Sequence, residues 1–283
     1  MRHQAFANER LSKKSGKAGE TYNERIRPIM INQLLRSILT GKGPDFSKLT
    51  AKECRIDDYL LVFRLPGNVQ RLAKHKDPDL TQVLLTPNVF MASVEKEFNR
   101  EYVHACFEWW AYRGLFIQGH SGKLGDMNLT IDVNRAESHT PIAEGDLNSL
   151  ETYLRKDLWD YYETEKNKDG KPGANWEARY AFEHPEEVSA QGYIPLGKLV
   201  LVTHLPEVYY REEINGVDWL HYGIRGEGVG RGLNYYWAYP LGAGYYLTFN
   251  FHLTSEVGDK ELRYQRMYED AKRIMSMVAL RKA

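Results

Sequence analysis

Hydrophobic positions first become periodic after Pro28, where Ile31, Leu34, Leu35 and Ile38 share one helical face and Gly41-Lys42-Gly43-Pro44 stops the run. Downstream, β-branched and aromatic runs bounded by Gly, Pro and Asn predict strands over 59–65, 82–86, 106–117 and 127–133. The stretch 95–110 reads either way, its first half as a helix. A helix follows over 148–164, because Asn148 and Glu151 have capping-box spacing and Leu150, Leu154, Leu158 and Tyr161 recur on one face. It ends in the polar loop 165–173. Strands resume over 198–204, 208–214, 217–224, 233–239 and 245–253. Asn215-Gly216 is the sharpest turn signal, since both residues tolerate positive φ and a two-residue loop of that kind twists correctly for a hairpin. Asp259 caps a closing helix whose apolar stripe runs through Tyr264, Met267, Tyr268, Ala271, Ile274, Met275 and Val278.

Strands joined by short turns pair antiparallel, and the two helices must cover a sheet. The expected class is therefore α+β, with a predominantly antiparallel sheet flanked by helices as an α/β/α sandwich. Residues 1–27 lack apolar periodicity and read as a mobile basic arm. Residues 28–283 read as a single α+β domain opened by a helix, with a sub-boundary near 165–175 as the alternative.

Composition excludes more than it identifies. The 283 residues are 42% hydrophobic and 27% charged, which rules out a disordered or fibrous chain. The longest aliphatic runs, such as 199–202, are far too short for a membrane span. Two cysteines, Cys54 and Cys106, provide neither a disulfide framework nor a zinc set. The start has no apolar leader, so the chain as it stands reads as cytoplasmic, or as periplasmic where a leader has been removed. The formal charge is zero but unevenly spread. Residues 1–55 hold 12 Lys+Arg against 5 Asp+Glu, whereas 141–220 hold 8 against 16. A nucleic-acid binder concentrates positive charge on its folded part, and here that part is acidic. No nucleic-acid partner is expected.

Candidate chemistry is sparse. The glycine cluster 223–232 is followed by a strand rather than by the helix N-terminus that phosphate binding needs, and reads as a connection between strands. None of the nine histidines has zinc-ligand spacing; His104 and Glu108 share a face whether their segment is helix or strand, yet in a strand they lie too far apart for one compact site. His204, His221 and His252 read as satisfied sheet residues. There is no nucleophile elbow, and the adjacent acids Glu186-Glu187 and Glu212-Glu213 point to opposite faces on a strand. No catalytic residue, metal or cofactor is expected. The outlier is aromatic content, with 19 Tyr and 6 Trp, many alternating with acids. Three readings stay open: exposed interface anchors, cross-strand pairs that stabilise the sheet, and carbohydrate stacking.

The order of features toward the C-terminus resembles the PsbP-like α/β/α sandwich. It is carried by Asp218-Trp219-Leu220, by the aromatic strands 235–240 and 245–251, and by the final helix closing in Ile274-Met275-Ser276-Met277-Val278. The run 59–66 and the helix from Leu150 to Tyr162 are similar to that family's opening half. The resemblance covers residues 55–283 in order of elements, and the arm at 1–50 has no counterpart in it. Proteins of this general look include lipoproteins and immunity proteins that neutralise toxins delivered by type VI secretion. It therefore implies a non-enzymatic binding protein that occludes a toxin effector. Tyr209, Tyr210, Glu212, Glu213, Asp218 and Trp219 would form the partner-binding surface around the hairpin, the acids steering approach and the aromatics supplying buried area. Two other classes remain: a hydrolase or carbohydrate-binding enzyme with a site assembled across the sheet, and a structural component of the envelope. Convergent histidines or carboxylates in the largest cavity would favour the enzyme.

Overall fold

The computed structural model describes residues 40–69, 79–91, 101–114, 122–136, 140–167, 170–195, 197–226, 232–256 and 260–283. The basic arm, most of the helix expected from Pro28, Asp259 and the middle of the glycine cluster lie outside the described residues.

Two sheets carry the fold. The larger has the order β4 (Glu101–Arg113), β5 (Lys123–Arg135), β10 (Tyr245–Ser255), β9 (Leu233–Gly242), β8 (Val217–Gly226), and its far edge is shared by β6 (Thr203–His204) and β7 (Tyr210–Ile214), both paired with β8. Strands from before and after the 165–175 loop thus lie side by side in one sheet. The smaller has the order β11 (Ala279–Lys282), β2 (Tyr59–Gly67), β1 (Asp45–Ile56), β3 (Gln82–Val83). Among the described strands, every pairing is antiparallel except the two-residue contact of β1 with β3. The helices are α1 (Pro87–Met91), α2 (Leu147–Tyr162), α3 (Ala174–Glu183), α4 (Pro185–Ala190) and α5 (Lys260–Met275). The α+β class with antiparallel sheets is as the periodicity predicted.

Strand alternation decides which side chains meet. On β5, Met127, Leu129, Ile131 and Val133 are buried on one face, and on β10 Leu247, Phe249, Phe251 and Leu253 join them. This face is covered by the smaller sheet together with α5: Phe63 of β2 meets Phe249 edge-on at 6.3 Å, and Met267, Ala271, Ile274 and Met275 complete the core. The sequence predicted a helix here; it did not reveal that a second sheet shares the layer. On the opposite face, α2 lays Leu147, Leu150, Leu154 and Leu158 against Tyr222, Ile224, Ala238 and Tyr246. Its cap is Asp146, whose side chain accepts from the Asn148 amide, two residues earlier than the Asn148 of the expected capping box.

The hairpin forms where expected. Asn215 and Gly216 take φ of 52° and 81°, and Ile214 pairs with Val217 across the two-residue turn. Elsewhere the boundaries shift. The expected strand over 198–204 pairs only at Thr203–His204, and that over 82–86 only at Gln82–Val83. The ambiguous stretch is a strand from Glu101 onward.

Buried His221 illustrates how polar groups are settled in the core. Its Nδ1–H donates to the Tyr236 carbonyl at 2.9 Å and its Nε2 accepts from the Tyr268 hydroxyl at 2.9 Å, with the ring stacked 4.2 Å from Trp237. Burial lowers the pKa of His221 and also that of His252, outweighing Glu212 beside the former and Asp126 beside the latter. A histidine whose folded pKa is depressed stabilises above its unfolded value and loses that contribution as pH falls. The urea midpoint is therefore expected to drop between about pH 7.5 and about pH 5.5, and His221→Phe is expected to shrink the drop. Buried Asp132 and Asp270, whose carboxyls are pushed up, act in the opposite sense toward lower pH, so an equal drop in both proteins would count against His221 as its source.

Candidate functional site

The six residues expected to face a partner do not form one surface. Trp219 is 1% exposed, wedged against Tyr239 at 5.8 Å and Phe249 at 5.6 Å. Tyr209 is also buried, packed 4.9 Å from Tyr222 under the Arg155 guanidinium at 4.4 Å, and burial pushes its hydroxyl pKa up to about 12. Both side chains are buried, so neither ring lies on the surface. Glu212 turns inward, accepting from the Trp237 indole N–H at 2.8 Å with Lys272 at 3.9 Å. Tyr210 is 58% exposed. Glu213 and Asp218 are exposed and directly opposed across β7 and β8, on the other face from Glu212. Like charges facing each other across a ladder cost the sheet stability.

The acidic span holds the larger feature. Of the 12 exposed large hydrophobic residues among those described, eight lie between Trp159 and Tyr210, with Tyr193 at 70% and Ile194 at 91% exposure. Six of the eight, from Trp159 to Leu199, belong to a lobe made of the end of α2, α3, α4 and the chain running on to β6, whereas Val208 and Tyr210 lie beyond it. A buried side chain, Asn175, ties α3 to the end of α2 and to the chain leading into β6. Asn175 accepts from the Val202 and Thr203 amides at 2.9 and 3.1 Å, and donates to the Thr203 carbonyl at 2.7 Å and to Glu163 at 2.6 Å. Glu163 also pairs with Arg179 of α3. Within the lobe, Trp176, Tyr180 and His184 stack in sequence along α3 at 5.1 and 4.1 Å. The sequence flagged the acidity of this span but not its helices, since α3 and α4 bury Asn175 and no apolar stripe.

A second site lies between α2 and the sheet. The face of β5 opposite the core presents Thr130, Asp132 and Asn134, and β10 presents Thr248 and Asn250 beside them. They line a half-open cleft of about 370 Å³, roofed by the second half of α2, including Asp157 and Tyr161. His104 of β4 pairs through Nδ1 with Asp132, and burial raises the Asp132 pKa against the pull of that imidazole. His104 and Glu108 do not share a face as expected. The register slips between His104 and Cys106, a bulge that leaves His104 in the cleft and turns Glu108 toward Lys52 of the smaller sheet. The signal that could have found this site is the strict alternation of Asn128, Thr130, Asp132 and Asn134 with a buried aliphatic set, a polar face that a helix half covers. One histidine and two carboxylates, His104, Asp132 and Asp157, line the cleft, the kind of grouping named above as favouring the enzyme. Among the described residues, no three His, Cys, Asp or Glu side chains form a metal-ligand group. No described helix is long and apolar enough to cross a membrane.

No family model matches the chain, and no curated protein matches it. Among solved structures it is similar to the immunity protein TplEi of the type VI secretion system from Pseudomonas aeruginosa, solved in complex with a peptide. The likeness covers 92% of this chain and 84% of that one, at 9% identity and a TM-score of 0.26. At that level it assigns neither fold nor function.

Proposed function

We propose that this chain is a protein-binding module whose acidic lobe and β7–β8 hairpin dock onto a basic protein partner, and that the partner is a secreted bacterial toxin silenced by occlusion. The observation that carries the reading is the concentration of exposed aromatic and aliphatic side chains within the span of greatest negative charge. Specific interfaces combine apolar anchors with a charged rim that steers approach. Tyr193 and Ile194 supply the former, and Glu213 with Asp218 the latter. The reading requires no chemistry by this chain: the partner's activity ends because its surface is covered.

The test pairs the purified chain with the secreted effector of its own host. Tyr193→Ala with Ile194→Ala is expected to weaken binding at least tenfold, mainly through faster dissociation, about 1.4 kcal/mol or more. Glu213→Lys with Asp218→Lys is expected to slow association roughly tenfold at low salt and to lose protection of the host cell. These side chains are exposed, so the variants should melt as the parent does. Undiminished affinity and protection in both variants would refute the lobe as the docking surface.

A further inference from the structure

The cleft opens on the sheet side of α2, and its chemistry points to a ligand of its own. Its floor is a lattice of short polar side chains, Thr130 and Asn134 on β5 with Thr248 and Asn250 on β10, where Asn134 pairs with Tyr246 and Asn250 with Thr130 across the ladder. Neighbours on such a face stand about 4.8 Å apart across strands and about 6.8 Å apart along them, the scale of one monosaccharide ring. The floor is preorganised: Asn134 Nδ2 donates to Thr248 Oγ1 at 2.9 Å, which fixes both rotamers. Tyr236, stacked face to face with Tyr222 at 4.8 Å and within 6° of parallel, stands beside the floor as an aromatic wall. Asn250 Oδ1 is buried with no hydrogen-bond partner in the protein. An unsatisfied buried acceptor costs about 1–3 kcal/mol, a cost a bound donor removes once the carboxamide turns toward the cleft.

We infer that this cleft binds a neutral, polyhydroxylated ring, a sugar of pyranose size, through Thr130, Asn134, Thr248 and Asn250, with its apolar face laid on the tyrosine wall. Hydroxyl and carboxamide groups both donate and accept, and so do sugar hydroxyls; a lattice of them matches a polyol better than it matches any ion. The lining contains two carboxylates and no Lys or Arg, so phosphates and carboxylates are repelled. Of the two carboxylates, Asp132 is engaged by His104 and Asp157 stands on the roofing helix, away from the floor's polar lattice. The volume of about 370 Å³ falls within the range of roughly 300–1,000 Å³ of small-molecule sites.

The full chain is titrated with glucose, galactose, mannose and N-acetylglucosamine, with choline and inorganic phosphate as charged comparators, and binding is followed by amide chemical shifts. At least one sugar is expected to bind with a Kd of about 1 mM or tighter and to shift amides of β5 and β10. Asn250→Leu and Thr130→Val are each expected to weaken it at least tenfold. Asn250→Leu removes an unsatisfied acceptor, so its melting temperature should equal or exceed that of the parent, which separates loss of binding from loss of fold. Failure of every sugar to bind, binding of choline or phosphate alone, or sugar binding that survives both substitutions would overturn the inference.

Discussion

Replacing Trp219 with alanine is expected to cost roughly 3–5 kcal/mol of stability, read as a fall in the denaturant midpoint with an unchanged slope. The indole is sealed between Tyr239 and Phe249, and α2 covers the far side of the same strand through Leu220. Nothing nearby can collapse into the space, since the neighbouring β-strands are held by their ladders. Trp219→Phe should cost far less than the alanine change, because the buried Nε1 has no hydrogen-bond partner and phenylalanine removes that burden along with some volume. Tyr210→Ala, on an exposed side chain two pairings away, is expected to stay within about 0.5 kcal/mol of the parent. A Trp219→Ala protein with an undisturbed midpoint would return this residue to the surface role that the sequence suggests.

Asn175→Ala is expected to release the lobe rather than unfold the molecule. Four hydrogen bonds are lost at once, and the Val202 and Thr203 amides and the Thr203 carbonyl are left buried without their partner, at about 2–4 kcal/mol in total. The core below Trp237 and Phe251 contributes nothing to this knot and should persist. Hydrogen exchange should therefore accelerate at Val202 and Thr203 and across α3, with protection of β5 and β10 retained. Proteolysis should shift to the 165–200 region. If the lobe is the docking surface, Asn175→Ala weakens partner binding although the side chain touches no partner. Uniform exchange throughout the chain would show instead that the lobe and the sheets open together.

Much of the large sheet was legible from the chain, and particular residues show why. The 127–133 and 245–253 alternations each pair one wholly apolar face with one polar face, so their strands and their inward sets were unambiguous. Asn215-Gly216 fixed a hairpin, because few other dipeptides accept two positive φ values in succession. The first strand, Asp45–Ile56, was missed because most of its side chains are exposed, leaving no alternation to detect until Cys54 and Ile56. The closing strand Ala279–Lys282 is only four residues long and was absorbed into the helix before it. Helices α3 and α4 carry no apolar stripe, since one buried asparagine, rather than a hydrophobic face, fastens them.

What the chain alone determined is the side of its strand on which each residue falls, because strand periodicity is a property of the local backbone. That was enough to separate Glu212 from Glu213 and to set Asp132 against Ile131. What covers each side was decided only by the tertiary structure, since burial depends on elements distant in sequence. Both faces of β8 are roofed, which took Tyr209 and Trp219 into the interior, whereas the polar face of β5 is half roofed by α2, which turned an outward row into the wall of a cleft. The meeting of His104 with Asp132 likewise rests on cross-strand register and on a bulge, and neither is written in any local run of residues.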